Sequence, residues 1–207
     1  MRKFILLTMI MCLFGGLSSS LMAQTITIGT RSGNSQYFPA RLKQDAVSTS
    51  NNYSSISQQI YTANEIKTAN GGSTPVGKIS KLAFKSNKTN LTFDKTVKVY
   101  MKNIGTTDVI SAWDTSEELK NNKVYEGSIS IDADGYLVFN LSPAFNYVDG
   151  NNILIFVDNN RGESGTVIGD VYFDVMSISS RQGAYTASGT ASNNYGFDGT
   201  WPTCSGR

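Results

Sequence analysis

The chain has 207 residues, no histidine, two cysteines, and 18 basic against 16 acidic side chains. Without histidine it lacks the commonest general base, the usual partner of a serine or cysteine nucleophile, and the usual zinc ligand. The length gives room for one domain with a sizeable core, and the near-balanced charge offers no basic field for nucleic acid.

Arg2 and Lys3 precede an apolar run from Phe4 to Leu17, and Ser18-Ser-Ser-Leu-Met-Ala23 closes on a small residue. This is the layout of a secretory signal peptide, and the run is short for a membrane-spanning helix. Residues 1–23 are therefore expected to be removed, so that the mature protein starts at Gln24. Losing Arg2 and Lys3 leaves 16 basic against 16 acidic residues, a net charge of zero. Cys12 leaves with the signal, and Cys204 alone can form no internal disulfide. Met11 stands where a lipidated Cys12 would need a small residue. The expected location is secreted or on the outer cell surface, with no membrane insertion after cleavage.

Gln24 to Gly29 alternates and predicts a first strand. Residues 30–56, rich in Ser, Asn, Gln and Tyr, read as a long surface excursion. Ser57 to Tyr61 returns to strand character. Thr62-Ala-Asn-Glu-Ile66 predicts a helical turn, with Thr62 as cap and Glu65 placed for a capping box. After the loop Asn70 to Pro75, Val76 to Lys85 predicts a strand whose odd Ile79 to Leu82 spacing implies a bulge. Leu91 to Phe93 and Val97 to Met101 follow, the latter with Val97, Val99 and Met101 on one face and Lys98, Tyr100 and Lys102 on the other. Asp114 to Leu119 predicts a short helix or turn, with Trp113 packed at its base and closing one end of the core.

Residues 123–160 read as a meander of three antiparallel strands. Tyr125, Ile129 and Ile131, then Leu137, Phe139 and Leu141, sit at alternate positions, with Asp132-Ala-Asp-Gly135 as a tight turn between the two runs. After Asp149-Gly-Asn-Asn152, Ile153 to Val157 is apolar on both faces and predicts a central strand. Val171 to Val175 and Gln182 to Thr186 supply two later strands. The fold these elements predict is all-β: an antiparallel two-sheet sandwich of jelly-roll type with one or two short helical turns, spanning 24–207 as one domain. Thr200 to Arg207 stops without a terminal strand, so the domain is expected to be truncated at its C-terminus, with at least one strand and further downstream domains missing.

No Gly-rich phosphate loop lies between a strand and a helix, and most acidic residues occupy turns, so no enzymatic role is expected. Asp132-Ala-Asp134-Gly135 has the oxygen density a hard cation wants, but not the remaining ligands of an EF-hand loop. A hairpin turn explains it better, and calcium stays open as the one cofactor to consider. Tyr195, Phe197 and Trp201 lie in a Gly, Ser, Asn and Thr-rich segment, where flat rings can stack on a sugar or a partner side chain. They are the candidate ligand-binding residues, in preference to the turn at Asp132.

Four stretches together, Ser57 to Ile66, Ile79 to Phe84, Val97 to Met101 and Asn152 to Asp158, resemble a β-sandwich module of Bacteroidetes surface and secreted proteins. Such modules are found beside fibronectin type III repeats and in gingipain-like adhesin regions. The resemblance implies a cell-surface adhesin role and transfers no site residues, because its motifs mark strands and turns. The function expected is a non-catalytic exported binding or adhesion module recognising a glycan or extracellular protein. The alternative is an accessory structural domain of a larger secreted peptidase or glycoside hydrolase.

Overall fold

The computed structural model describes residues 24–29, 31–40, 42–44, 53–75, 77–105, 109–159, 169–175, 179–188, 196–198 and 201–204. Residues 1–23, where the signal peptide is expected, Tyr195 and residues 205–207 lie outside them. The described chain is mostly β, with antiparallel sheets and two short helices. None of its helices is long and apolar enough to cross a membrane.

The strands are β1 (Gly33–Ser35), β2 (Lys43–Gln44), β3 (Tyr53–Tyr61), β4 (Lys78–Lys85), β5 (Leu91–Ile104), β6 (Lys123–Ile131), β7 (Tyr136–Asn146), β8 (Asn152–Asn159), β9 (Gly169–Asp170), β10 (Phe173–Val175) and β11 (Gln182–Ser188). Helix α1 is Ala63–Ala69 and α2 is Glu117–Asn121. One seven-stranded sheet runs in the order β11-β3-β8-β5-β6-β7-β4, and β1-β10 and β2-β9 form two short pairs.

β8 is buried along its whole length, as its two-sided apolar pattern predicts. The meander does not hold beyond its first turn. β6 and β7 are joined by a hairpin, with Ile131 opposite Leu137, but β8 leaves β7 and inserts between β3 and β5. The physical reason is that a strand apolar on both faces needs cover on both. An edge position beside β7 would not supply it.

Ile153, Ile155 and Val157 of β8 join Val97, Val99 and Met101 of β5 in the larger core cluster. That inner cluster also takes Leu137, Phe139 and Phe145 of β7, with Ala40, Leu42, Ile66, Val171 and Phe173 contributed from outside the seven strands. The opposite face of β3, β5 and β8 carries a second cluster around Phe156.

Two expectations for the N-terminal part need correction. Gln24–Gly29 is not a strand; Ile26 and Ile28 pack against the inner cluster without joining a ladder. Alternation reports which side chains are buried, and carries no information about backbone partners. Residues 30–56 are not simply a surface excursion either. Phe38, Ala40 and Leu42 are buried, β1 and β2 lie within the stretch, and Ser57 Oγ donates to the Pro39 carbonyl. Single apolar residues spaced among polar ones were enough to cover a sheet face.

The ladder is irregular after Ile79, where a bulge was anticipated, but the extra residues lie on the partner strand. The β4–β7 register jumps from Ile79–Phe145 to Lys81–Asn140, so Ser80 alone faces the β7 stretch that includes Pro143, which has no N–H to donate. The pieces 91–93 and 97–101 are one long strand, β5, irregular against β6 between Phe93 and Thr96. Thr62 and Glu65 form the predicted capping box, with Thr62 N donating to Glu65 Oε2 at 2.8 Å and Glu65 N to Thr62 Oγ1 at 3.2 Å.

Candidate functional site

The candidate aromatic residues are assembled by the outer face of β8. Leu154 and Phe156 point to this side, and Ile56 and Ile60 of β3 and Tyr100 of β5 flank them. Trp113 packs edge-on to Phe156 at 6.1 Å, and its indole donates to the Pro202 carbonyl at 2.8 Å. It therefore lies buried over the middle strands on the outer face, and the hydrogen bond ties residues 109–121 to the C-terminal segment. Gln58 of β3 holds the same segment from below, accepting from Asp114 N at 2.9 Å and donating to the Ala112 carbonyl at 3.3 Å.

Phe197 and Trp201 come together here, with ring centroids 5.1 Å apart and an interplanar angle of 84°. Each also rests on Phe156 at 5.6 Å, and Phe197 lies 4.9 Å from Tyr100. Both remain half-buried. They form a fixed aromatic surface with one side on the core, which is a different arrangement from isolated rings on a polar loop. Gly196 allows the approach: its φ is +75°, and a Cβ there would stand 3.0 Å from Asp158 Oδ2. Tyr195 lies outside the described residues.

The half-buried charges mostly hold elements together. Arg181 Nη2 donates to Glu65 Oε1 at 2.9 Å and Arg181 Nη1 to Glu65 Oε2. Burial alone would push the Glu65 carboxyl up, but the bonds from Arg181 and Thr62, with the Arg181 charge, together hold it below its ordinary value. Lys102 pairs with Glu118 at 2.9 Å and Asp114 at 3.2 Å, fastening the start of α2 to β5. Burial works against that ammonium, yet the two carboxylates raise its pKa. Burial pushes the Tyr61 phenol up strongly, helped by the nearby Glu65 charge, and pushes the Cys204 thiol up as well.

The Asp132–Gly135 turn is a working hairpin. Asp132 Oδ1 accepts from Tyr136 N at 2.8 Å, Gly135 has φ +80°, and the Lys85 ammonium donates to the Asp134 carbonyl. A cationic side chain thus sits directly against the turn. Among the described residues no group of three or more His, Cys, Asp or Glu side chains could hold a metal ion.

The sequence reading passed over two aromatics. Tyr136 and Tyr172 are the exposed aromatic side chains among the large hydrophobics of the described residues. The signal was there, since each sits at the outward position next to a buried neighbour, Leu137 for one and Val171 and Phe173 for the other. A scan against protein-family models and searches of curated proteins and of solved structures find no match to the chain.

Proposed function

We propose that the chain is a non-catalytic exported module that binds a glycan or an extracellular protein at the cell surface. The observation that carries this reading is the joining of Phe197 and Trp201 into one half-exposed aromatic surface on the outer face of β8. Rings held by packing lose little freedom on binding, so they present contact area at low entropic cost. The scaffold we assign is a jelly-roll-type sandwich, with the seven-stranded sheet as one layer and the β1–β10 and β2–β9 pairs contributing to the second. The Bacteroidetes resemblance and the signal-peptide pattern support the surface location.

A second reading, an accessory structural domain of a larger secreted hydrolase or peptidase, is favoured by the same rings resting on Phe156, since they also roof a core. A glycan array and a panel of immobilised extracellular proteins, probed with the purified protein and with Trp201→Leu, separate the two. The leucine keeps apolar cover but removes the stacking face. Binding that the substitution abolishes supports the first reading, and an unoccupied array and panel favour the second.

A further inference from the structure

A different surface has the composition of a saccharide site. Tyr136 of β7 stands directly opposite Lys85 of β4. Just past the end of β4 and on its other side, Ser86 bridges to Phe173 in antiparallel register. That register sets Asn87 opposite Tyr172 and Lys85 opposite Asp174. It is held by Asn87 N donating to the Tyr172 carbonyl at 2.9 Å and Tyr172 N donating to Asn87 Oδ1 at 2.9 Å. Leu137, Ser86 and Phe173 are buried, whereas Tyr136, Lys85, Asn87, Tyr172 and Asp174 are exposed, so the pleat sends these five side chains to one face.

From these positions we infer that this face binds a neutral oligosaccharide, with Tyr136 and Tyr172 as stacking platforms and Lys85, Asn87 and Asp174 as hydrogen-bonding groups between them. With standard strand and residue spacings the two tyrosine Cα atoms are roughly 12 Å apart, a separation that a short oligosaccharide can bridge. The platforms are fixed in advance. The Lys85 ammonium lies 4.7 Å from the Tyr136 ring centroid and is held by the Asp134 carbonyl, while Asn87 is clamped to the Tyr172 backbone. Tyr136 nevertheless keeps 39% of its surface exposed and Tyr172 36%.

Local charge selects for neutrality. Lys85 and Arg31 are balanced by Asp134 and Asp174, and Arg31 Nε pairs with Asp174 Oδ1 at 3.2 Å. An anionic or cationic polymer would meet a like charge wherever it met an opposite one, whereas sugar hydroxyls can use donors and acceptors of both signs. This inference shares with the reading above that the chain binds a ligand and, in that reading's glycan form, the class of ligand. It uses a separate surface, so each can fail without the other.

The test titrates the isotope-labelled purified protein, followed by NMR, with cellohexaose, maltohexaose and laminarihexaose, and with a heparin-derived hexasaccharide as the anionic comparator. At least one neutral hexasaccharide is expected to give saturable shifts at residues 85–87, 136 and 172–174. Tyr136→Ser and Tyr172→Ser should each weaken that binding about tenfold or more. Tyr136→Phe, which keeps the ring, and Trp201→Leu, on the other surface, should leave it nearly intact. The inference is overturned if none of the neutral probes shifts these residues or if only the heparin fragment does. Shifts confined to the neighbourhood of Phe197 and Trp201 overturn it too, while supporting the other surface.

Discussion

Arg181 closes both terminal nitrogens of its guanidinium on Glu65, a residue 116 positions earlier, with Nη2 to Oε1 at 2.9 Å. Glu65 caps the helix that follows β3, and Arg181 ends the short 3-10 turn that leads into β11. Because β3 and β11 are neighbours in the sheet, the ion pair locks the connections at one end of that ladder. The two side chains are only 12% and 19% exposed, so the interaction lies between the surface and buried limits.

Glu65→Gln should therefore cost about 2 kcal/mol at neutral pH. The carboxyl is held below its ordinary value when folded, so its contribution is complete above the unfolded value of about 4.3 and disappears as pH falls through the folded one. Urea denaturation of the wild type and Glu65→Gln should show a gap at pH 7 that closes toward about pH 2. A gap of equal size at both ends would mean that the ion pair is not its source.

Phe156 is fully buried and touches the rings of Tyr100, Trp113, Phe197 and Trp201. Phe156→Ala should cost about 3–5 kcal/mol, the range for a large buried aromatic. Trp201→Ala, losing a half-buried ring from the same cluster, should cost about 2 kcal/mol. Thermal melts of the two variants give the order. If Trp201→Ala melts with the wild type, the outer cluster is looser than its geometry indicates.

What the sequence disclosed follows from what local pattern encodes. The capping box at Thr62 and Glu65 and the Gly135 hairpin depend on side chains a few residues apart, so they could be read directly; the odd Ile79 to Leu82 spacing marked the irregularity in β4 but not that its extra residues lie on β7. The position of β8 depends on what covers its second face, and the cover comes from Ile110, Trp113 and Leu119 and from Phe197, Trp201 and Cys204, far away in the chain. No periodicity records that. Phe197 and Trp201 could be singled out by type and setting, but their shared contact with Phe156 is a long-range fact. Tyr136 and Tyr172 were visible as outward positions; only the Ser86–Phe173 bridge puts them on one face.

Lys102 gives the mirror image of the Glu65 effect. Its ammonium is stabilised by Glu118 and Asp114, with its pKa raised, and Ser116 Oγ accepts a further bond at 3.2 Å. Lys102→Met should cost about 1 kcal/mol at neutral pH, since Glu118 is largely exposed and contributes little. A raised folded-state pKa contributes stability in full below the unfolded value of about 10.4, and that stability is lost as pH climbs through the folded one. The difference between wild type and Lys102→Met, measured by denaturant titration, should thus shrink only in strongly alkaline solution. A difference that shrank between neutral pH and about 9 would sink the assignment.

Gly183 of β11 faces the outer cluster where the C-terminal segment crosses it. A methyl group there would stand 2.9 Å from Cys204 Sγ, 3.5 Å from Ile110 Cγ2 and 3.9 Å from the Trp113 ring. The first distance is a clash and the others are ordinary contacts, so the sulfur alone sets the penalty. Gly183→Ala should then cost about 1–3 kcal/mol through overpacking, despite the alanine's better backbone entropy in a strand. Cys204→Ala removes only a half-buried sulfur and should cost less. In the double variant the clashing atom is gone, so its stability should match Cys204→Ala alone, a coupling of about 1 kcal/mol or more. Denaturant unfolding of the four proteins measures that coupling. Strictly additive costs would show that Cys204 does not pack on Gly183, and that the C-terminal segment crosses β11 elsewhere.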